Sequence, residues 1–366
     1  MPMPTPNPTK ARAPGKASLV KLGKARNLEK VGRLRSSNQA AKLSILFFPV
    51  GDSSLASTET QAYQRADDLR ALGIRADVLV RKEKKGWEGN KDRYLLFPFA
   101  FSQYDVVFFQ KTMNIVDYNL AKLCKAFGKK VVFHTDDYFE DAKPRLERMF
   151  SAADLVLVCS QFLKSLASAR NKNVHIFPAV VDTSKFRPSK KSRRKEIVVG
   201  WVGRSLFENL QIVLPSLEKL AKEFPIRVKI VGETELEQFQ ARGIKAEKTG
   251  WLKPSQVPEA LRDIDICLMP APDNLLHRAA MPTKLLEYMA SGIPSIGSAV
   301  GEIPSIIRHG KNGYIARNDS EWLRCLEKLC KSRQLRLRLG AQARRDSEKY
   351  SLRNSSLLLL RLLAEL

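Results

Sequence analysis

The stretch MPTKLLEYMASGIPSIGSAVGEIPSIIRHG, residues 281–310, alternates helix and strand signals. Pro282 is typical of the first turn of a helix, and the small residues that end in Gly292 are typical of a helix end. Pro294 then leads into the apolar strand PSIGS, and IPSIIRHG has the pattern of a second short helix. Helix, strand and helix in succession are the repeating unit of a parallel sheet covered by helices. The stretch therefore predicts α/β architecture.

The same alternation extends upstream along most of the chain. LSILFFPV (43–50), YDVVFFQ (104–110) and KKVVFH (129–134) are apolar runs of buried-strand length, separated by helical segments. A fresh series begins at Ile197, after a basic segment that contains prolines. We therefore predict two facing Rossmann-like, doubly wound α/β domains with a cleft between them. In such folds ligands bind beyond the carboxyl ends of the strands.

Shifts in composition predict the domain boundaries. The N-terminal stretch is rich in Pro, Ser and Lys and too poor in large apolar residues to form a core. The leucine-rich C-terminus is too apolar to remain free in water. The predicted segments are a basic, disordered tail (1–42), an N-terminal Rossmann-like domain (43–180), a linker (181–196), a C-terminal Rossmann-like domain (197–348) and a helix (349–366) that docks back on the N-terminal domain.

The charge balance calls for an acidic counterpart. The chain has 366 residues with 63 Lys+Arg against 38 Asp+Glu, a formal net charge of +25. Candidate partners are nucleic acid, an anionic membrane surface reached through the basic tail, and a phosphorylated ligand. The tail lacks interleaved aromatic residues and the chain lacks a recognised reading motif, so nucleic acid is the least favoured of the three.

Cysteine usage and hydropathy indicate the compartment. The five cysteines are odd in number and show no CxxC spacing, so neither a disulfide framework nor a zinc site is indicated. No apolar run approaches the ~20 residues of a membrane span, and the N-terminal residues lack the apolar h-region expected of a secretory signal. We expect a cytoplasmic protein, with association to the inner face of a membrane as an open alternative.

Lys284 and Glu287 are the most informative polar pair. They lie three residues apart and so share one face of the predicted helix. A carboxylate there can accept hydrogen bonds from two ribose hydroxyls, while the helix N-terminus and the ammonium suit a diphosphate. The simpler alternative is a solvent-facing ion pair on an ordinary helix.

The block that contains this pair resembles the nucleotide-sugar-binding segment of the retaining GT-B glycosyltransferases of the large family-4 type, also called glycosyl transferases group 1. Further agreement, in the family's order, lies in VVGWVGRSLFENL (198–210), TGWLKPSQVPEALRDIDICLMPAP (249–272), and ADLVLVCSQFLK followed by IFPAVVDTSKFRP. The resemblance implies transfer of a sugar, with retention of configuration, from a UDP- or GDP-type donor to a glycan, lipid-linked or polyanionic acceptor. It implies neither a metal ion nor a separate cofactor.

The resemblance also implies that the N-terminal domain (43–180) is the acceptor side and that the C-terminal domain (197–348) binds the nucleotide-sugar. It further implies roles for individual residues. The implied catalytic set is His134, Arg204, Lys284 and Glu287. The implied donor-binding set is Gly203, Arg204, Trp251, Leu252, Thr283, Lys284, Leu285, Leu286 and Glu287. Topology alone adds Gly51, in the loop after the first strand, to the ligand-binding residues. Asp136 and Asp137 follow His134 and either orient acceptor hydroxyls or cap the next helix.

Two departures from the family's pattern keep a second function open. The family's first glutamate, eight positions before Glu287, is replaced by Ala279, and Glu208 and Asn209 stand where a lysine is usual. His277 or Asn274 could substitute for the missing carboxylate, or both could be plain loop residues. The alternative to an active enzyme is therefore a catalytically impaired GT-B-fold binding or scaffold protein, with a basic nucleic-acid-binding protein as a weaker third hypothesis.

Overall fold

The structure, a computed structural model of the chain, describes residues 43–366 apart from 54, 80–93, 95, 190–194 and 205–206. At positions 56, 204 and 207 it describes the backbone but not the side chain. The predicted tail over residues 1–42 lies outside the described residues. The described residues belong to one compact unit, Lys42–Leu366.

The N-terminal half is built on a parallel sheet, with six strands in the described part of the chain and the order β2-β1-β3-β4-β5-β6. Every neighbouring pair in this first sheet is parallel. The strands are β1 (Ser44–Pro49), β2 (Arg75–Val78), β3 (Val106–Gln110), β4 (Lys130–Thr135), β5 (Leu155–Val158) and β6 (Val174–Ile176).

The C-terminal half repeats the design with a second parallel sheet, again of six strands among the described residues, in the order β12-β11-β10-β7-β8-β9. The strands are β7 (Ile197–Arg204), β8 (Ile226–Glu233), β9 (Ala246–Lys248), β10 (Ile266–Met269), β11 (Ser295–Ser298) and β12 (Gly313–Ala316). Two parallel, helix-covered sheets in succession are the α/β architecture that the sequence predicts.

Helices connect the strands in both halves. The N-terminal half contains α1 (Ala56–Thr58), α2 (Gln64–Ala71), α3 (Ile115–Ala126), α4 (Lys143–Ala152) and α5 (Gln161–Ser168). The C-terminal half begins with α6 (Phe207–Gln211), α7 (Leu214–Glu223), α8 (Glu237–Gln240), α9 (Val257–Ala260), α10 (Leu275–Ala279), α11 (Thr283–Ala290) and α12 (Ile303–Ile306). The last three helices are α13 (Asp319–Lys331), α14 (Arg333–Ser347) and α15 (Leu352–Leu363).

Short helical turns also occur among the described residues. The 3-10 turns are Phe101–Gln103, Glu140–Ala142, Pro254–Gln256 and Glu348–Tyr350, and a π-helical turn, Glu59–Tyr63, joins α1 to α2. The sequence predicts one helix near residues 209–224, whereas the structure has α6 and α7 there. Pro215 lacks a backbone N–H and occupies the first turn of α7, where that donor is not needed.

Apolar residues cover both faces of each sheet, as buried parallel strands require. In the first sheet, alternate residues of β1 enter different clusters: Leu46 and Phe48 pack on one face, and Ile45 and Phe47 on the other. The C-terminal helix α15 packs on α2 of the N-terminal half and buries Leu359 among the residues of the second of these clusters. Among the described residues, no helix has the length and apolar character needed to cross a bilayer.

The strand orders locate the crevices where ligands bind in such sheets. Chain connections diverge between β1 and β3 in the first sheet, and between β7 and β10 in the second. At such switch points the loops beyond the carboxyl ends of the strands separate and leave an opening. The loops that begin at Gly51 and at Lys111 flank the first opening, and the end of β7 at Gly203 borders the second.

Candidate functional site

The N-terminal half of α11 carries the polar pair that the sequence singles out. The Lys284 Nζ lies 3.2 Å from Oε1 and 3.3 Å from Oε2 of Glu287. The Glu287 side chain is 18% exposed and that of Lys284 is 38% exposed, so both can be reached from outside. Burial raises the pKa of the Glu287 carboxyl, while the ammonium of Lys284 lowers it. The pair is therefore a partly desolvated ion pair beside a helix N-terminus.

Tyr288 attaches this helix to the end of β7. Its side chain is fully buried, and its hydroxyl oxygen accepts a hydrogen bond of 2.9 Å from the backbone N–H of Val202. Gly203 and Arg204, the last two residues of β7, follow directly. The side chain of Arg204 is outside the described part of the chain. The bond fixes the Lys284–Glu287 pair relative to the loop where the sequence predicts phosphate contacts.

Two glycines, Gly203 and Gly232, allow the backbones of β7 and β8 to approach closely at the carboxyl end of the second sheet. Gly203 and Gly232 face each other in the β7–β8 register, and a Cβ atom on Gly232 would lie 1.9 Å from the carbonyl oxygen of Gly203. Gly232 also has a φ of +135°, which side-chain-bearing residues rarely adopt. Its N–H donates to the hydroxyl of Thr249 at 3.2 Å, which holds the following loop near β8. Trp251 in that loop is 65% exposed, and Leu252 is partly buried against the core.

The other residues of the predicted donor set lie in the first turn of α11. Leu285 and Leu286 are fully buried. The N–H of Thr283 donates to the carbonyl oxygen of Met281 at 2.8 Å, and that of Leu285 to Pro282 at 3.0 Å. These two amides are therefore engaged within the turn, and a diphosphate would have to share or replace those bonds.

Gly51 lies at the carboxyl end of β1, in the N-terminal half. A Cβ atom there would lie 2.3 Å from Cδ1 of Leu55, so the turn is packed tightly around the glycine. The preceding Val50 donates its N–H to the carbonyl oxygen of Gln110, at the end of β3. The loop is thus fixed to the first switch point.

Lys111, which the sequence does not single out, forms a charged cluster with the two aspartates after β4. Its φ of 58° is in the left-handed region, which a residue with a side chain rarely occupies. Its side chain is only 10% exposed, and its Nζ contacts a carboxylate oxygen of Asp136 and lies 2.7 Å from Oδ2 of Asp137. Asp137 remains 48% exposed. A strained, buried cation thus holds an open carboxylate at the carboxyl edge of the sheet.

His134 occupies an interior position of the first sheet. The ring is fully buried, 6.0 Å from the Phe108 ring and 5.8 Å from the Phe177 ring, and neither ring nitrogen has a hydrogen-bond partner among the described residues. Burial lowers the pKa of the imidazole well below its usual range, and Arg65 and Lys111 lower it further. The ring is therefore neutral, and a role at a sugar would require it to become exposed.

The two halves meet near Ala279, the position of the family's first glutamate. Ala279 is 1% exposed and belongs to the core cluster of the N-terminal half. Its carbonyl oxygen accepts a hydrogen bond from the thiol of Cys159 at 3.5 Å. A second bond crosses nearby, where the N–H of Gln161, at the start of α5, donates to Oε1 of Glu302 at 2.7 Å. The methyl group of Ala279 therefore fills a packed junction.

The two polar residues considered as substitutes for the missing carboxylate belong to α10. The side chain of Asn274 accepts a hydrogen bond from the N–H of His277 at 3.0 Å and so caps the start of this helix. Burial lowers the pKa of the His277 ring, while Glu208 raises it. Among the described residues, no group of three or more His, Cys, Asp or Glu side chains could hold a metal ion.

The sequence does not predict three residues that have structural roles in this region: Lys111, Gly232 and Glu302. Their partners lie far along the chain, and no local pattern identifies Lys111 or Glu302. The signal that could have found Gly232 is its place near the end of an apolar strand in VKIVG, where a glycine often marks a close approach of two backbones.

Comparison with protein families supports the resemblance for the C-terminal half. Residues 196–332 match the family described as Glycosyl transferases group 1. This segment contains β7 to β12, the Tyr288–Val202 bond and the Lys284–Glu287 pair.

Two curated proteins that are similar to this chain carry transferase names. The chain is 28% identical over 228 residues to the sulfoquinovosyl transferase SQD2 of Arabidopsis thaliana, a match that covers 55% of this chain and 42% of that protein. It is 25% identical over 225 residues to the D-inositol 3-phosphate glycosyltransferase of Corynebacterium jeikeium, covering 53% of this chain and 52% of the relative. The chain thus spans about half the length of these relatives.

Solved structures show the same fold. HepE of Anabaena, in complex with UDP and glucose, superposes with a TM-score of 0.66 at 14% identity, covering 88% of this chain and all (100%) of that one. The lipopolysaccharide outer core galactosyltransferase WaaB superposes with a TM-score of 0.65 at 18% identity, again over 88% of this chain and 100% of the other. The predicted GT-B fold class is therefore confirmed.

Proposed function

We propose that this chain is a glycosyltransferase that moves a hexosyl group from a nucleotide-diphosphate sugar to a hydroxyl acceptor, with retention of configuration and without a metal ion. The observation that carries the proposal is the Lys284–Glu287 pair at the start of α11, which Tyr288 attaches to β7 near its carboxyl end. The family match over residues 196–332 covers these elements.

Each side chain of the pair has a part in donor binding. The Glu287 carboxylate accepts hydrogen bonds from the two ribose hydroxyls, and Lys284, three residues earlier, contacts the diphosphate together with the backbone at Gly203 and Arg204. Trp251 and Leu252 provide a surface for the base. UDP is the expected nucleotide, because the similar structure of HepE contains UDP.

In the transfer step, the bond between the anomeric carbon and the diphosphate oxygen breaks, and the diphosphate leaves with the electron pair. The ammonium of Lys284 stabilises the charge that develops on this leaving group. The acceptor oxygen bonds to the anomeric carbon on the face that the diphosphate leaves, and the acceptor proton passes to a phosphate oxygen.

The acceptor belongs to the N-terminal half. Asp137 offers a half-exposed carboxylate at the carboxyl edge of the first sheet, held by Lys111. A carboxylate held in a fixed position can accept a hydrogen bond from a hydroxyl group. We therefore place the hydroxyl of the acceptor substrate against Asp137.

The proposal is tested by turnover of UDP-sugars and GDP-sugars with Lys284→Ala and Glu287→Ala. Each change should reduce donor turnover by about 100-fold or more, since each removes a contact to the departing nucleotide. The matched control is the Lys331–Glu327 ion pair on α13, whose Nζ and Oε2 lie 3.3 Å apart on the surface. Alanine at either control position should leave turnover unchanged. Equal rates in wild type and both α11 variants would refute the site assignment.

A binding or scaffold protein is the second candidate function. The observation that favours it is Ala279, which is buried at the junction of the halves where the family pattern has a glutamate. Calorimetry with UDP and GDP, followed by a sugar-release assay, separates the two functions. Nucleotide binding without release of any tested sugar would favour the scaffold.

A further inference from the structure

A cavity of about 380 Å³ lies in the C-terminal half, away from the carboxyl ends of the strands where the predicted donor residues lie. Asp265 and Pro294 line it, and they directly precede β10 and β11. The cavity therefore lies at the amino edge of the second sheet, whereas Gly203 and the donor residues lie at the carboxyl edge. Its volume is within the range of cavities that hold small molecules.

The cavity is formed where α14 crosses the turn between α11 and β11. A Cβ atom on Gly340 would lie 2.1 Å from the carbonyl oxygen of Gly292, so the two backbones are in direct contact. Gly292 has a φ of +67° and packs against Pro188, in the segment that connects the two sheets. The helix, the turn and the connecting segment thus form three walls.

Four arginines of α14 line the cavity: Arg333, Arg336, Arg344 and Arg345. Arg344 donates to the carbonyl oxygens of Phe186 and Ala290 and pairs with Glu348 at 2.7 Å, so it ties the walls together. Arg345 donates to the amide oxygen of Gln342 at 2.6 Å, and Arg336 donates to the carbonyl oxygen of Leu329 at 2.6 Å. Because the partners of Arg345 and Arg336 in these bonds are neutral, they do not cancel the positive charges of the two guanidinium groups.

The same cavity also has a carboxylate and a buried hydroxyl. One oxygen of Asp265 accepts a hydrogen bond from the N–H of Val198 at 3.0 Å. Asp265 and Glu348, the partner of Arg344, supply two negative charges against the four arginines. The Ser291 residue is 5% exposed, and its hydroxyl has no hydrogen-bond partner among the described residues. Leaving a buried hydroxyl unpaired is unfavourable, so an oxygen-bearing ligand in the cavity would satisfy it.

Apolar surface completes the lining. Pro188, Pro294 and Leu337 face the cavity, and Leu337 is 45% exposed. An occupant should therefore combine an anionic group with an apolar part.

We propose that this cavity binds a soluble, phosphorylated small molecule. The guanidinium groups of Arg333 and Arg345 form paired hydrogen bonds with the phosphate oxygens, as planar guanidinium groups do with this anion. The apolar part of the molecule packs against the two prolines and Leu337. This site is separate from the proposed donor site and does not depend on the transferase activity.

The test is calorimetry of the full chain with phenyl phosphate, which carries a phosphate on an apolar ring, and with inorganic phosphate. Phenyl phosphate should bind more tightly. The double variant Arg333→Gln, Arg345→Gln should weaken its binding by about tenfold or more, because two charge-assisted contacts are lost. The matched control, Arg324→Gln with Arg338→Gln, removes the same charge from two arginines that do not line the cavity. It should bind as the wild type does.

Two more measurements distinguish this cavity from the donor site and from a diffuse basic surface. Lys284→Ala should leave phenyl phosphate binding unchanged, and its loss in that variant would assign the ligand to the donor site instead. Equal weakening in both double variants would show a diffuse basic surface and overturn the proposal. The proposal would also be overturned if the wild type did not bind phenyl phosphate. The same conclusion would follow if the chain bound vesicles containing phosphatidic acid but not phenyl phosphate.

Discussion

The hydroxyl of Tyr288 accepts a hydrogen bond of 2.9 Å from the backbone N–H of Val202, which joins α11 to the end of β7. Both residues are buried, Tyr288 fully and Val202 with 7% of its surface exposed. This contact links two segments of the predicted donor site that are 86 residues apart in the chain. The Lys284–Glu287 pair therefore has a defined position relative to Gly203.

Tyr288→Phe should lower the free energy of unfolding by about 1–3 kcal/mol, because the buried N–H of Val202 loses its partner. Urea denaturation followed by circular dichroism measures this change. Tyr314→Phe is the control, since Tyr314 is also buried in the C-terminal half, with 7% exposed. A Tyr288 variant as stable as this control would contradict the role of the hydroxyl.

The ionisation of Glu287 should depend on Lys284. Burial raises the pKa of this carboxyl and the ammonium lowers it, so Lys284→Ala should raise the pKa further. An NMR titration of the Glu287 side-chain carboxyl in both proteins measures the shift. An unchanged or lower pKa in the variant would show that the two groups do not interact.

The ionisation of Glu287 should make both nucleotide affinity and the stability of the fold depend on pH. A protonated Glu287 accepts hydrogen bonds poorly, so nucleotide binding should weaken as the pH falls through the raised pKa. The folded protein binds this proton more tightly than the unfolded chain does. The contribution of Glu287 to stability is therefore present below its unfolded pKa and is lost as the pH rises through the folded one. Glu287→Gln should remove both dependences.

Two substitutions of Lys111 separate the effect of backbone strain on stability from the effect of its ion pairs. Lys111→Ala and Lys111→Gly both remove the contacts to Asp136 and Asp137, but only glycine adopts a φ of 58° without strain. The glycine variant should therefore be more stable than the alanine variant by about 1 kcal/mol. Thermal or urea unfolding of the two proteins gives the difference, and a more stable alanine variant would contradict the left-handed geometry.

Asp137 should act on the acceptor and not on the donor. In a transferase assay, Asp137→Asn should raise the KM for the acceptor and leave the KM for the donor unchanged. Asp141→Asn is the control, because Asp141 is a strongly exposed carboxylate, 79%, that pairs with Arg145 on the surface. A rise in the donor KM alone would place Asp137 outside the acceptor site.

The Glu302–Gln161 bond should stabilise the junction of the two halves. Glu302→Ala removes the acceptor from the first N–H of α5, a loss of about 1 kcal/mol as for a helix cap. Amide hydrogen exchange at Gln161 should become faster. Glu259→Ala, which breaks an exposed ion pair with Arg262, should change neither quantity appreciably. Unchanged exchange at Gln161 in the Glu302 variant would show that the bond does not persist in solution.

The sequence predicts the α/β class and the two successive sheets because each buried parallel strand is a continuous apolar run with local helix signals around it. It also identifies the Lys284–Glu287 pair, since residues three apart on a helix share a face. These features depend on neighbouring residues. They are accessible without knowledge of the tertiary contacts.

The rest of the site depends on distant contacts. The partner of the Tyr288 hydroxyl is the backbone N–H of Val202 in β7. Lys111 lies in the loop from β3 to α3, and its N–H donates to the carbonyl oxygen of His134 in β4. The burial of Ala279 likewise follows from how the halves meet, through Cys159. The family resemblance implies a role for His134 at the sugar, but the sequence does not show that its ring is buried beside Phe108 and Phe177.

The central claim is that the start of α11 binds the nucleotide diphosphate of a sugar donor. The most direct measurement is calorimetric titration of UDP and GDP into the wild-type chain, Lys284→Ala, Glu287→Ala and the Lys331→Ala control. We expect saturable binding of UDP by the wild type and the control, and binding weakened by about tenfold or more in the two α11 variants. Equal UDP affinity in all four proteins, or no affinity for either nucleotide in the wild type, would contradict the claim.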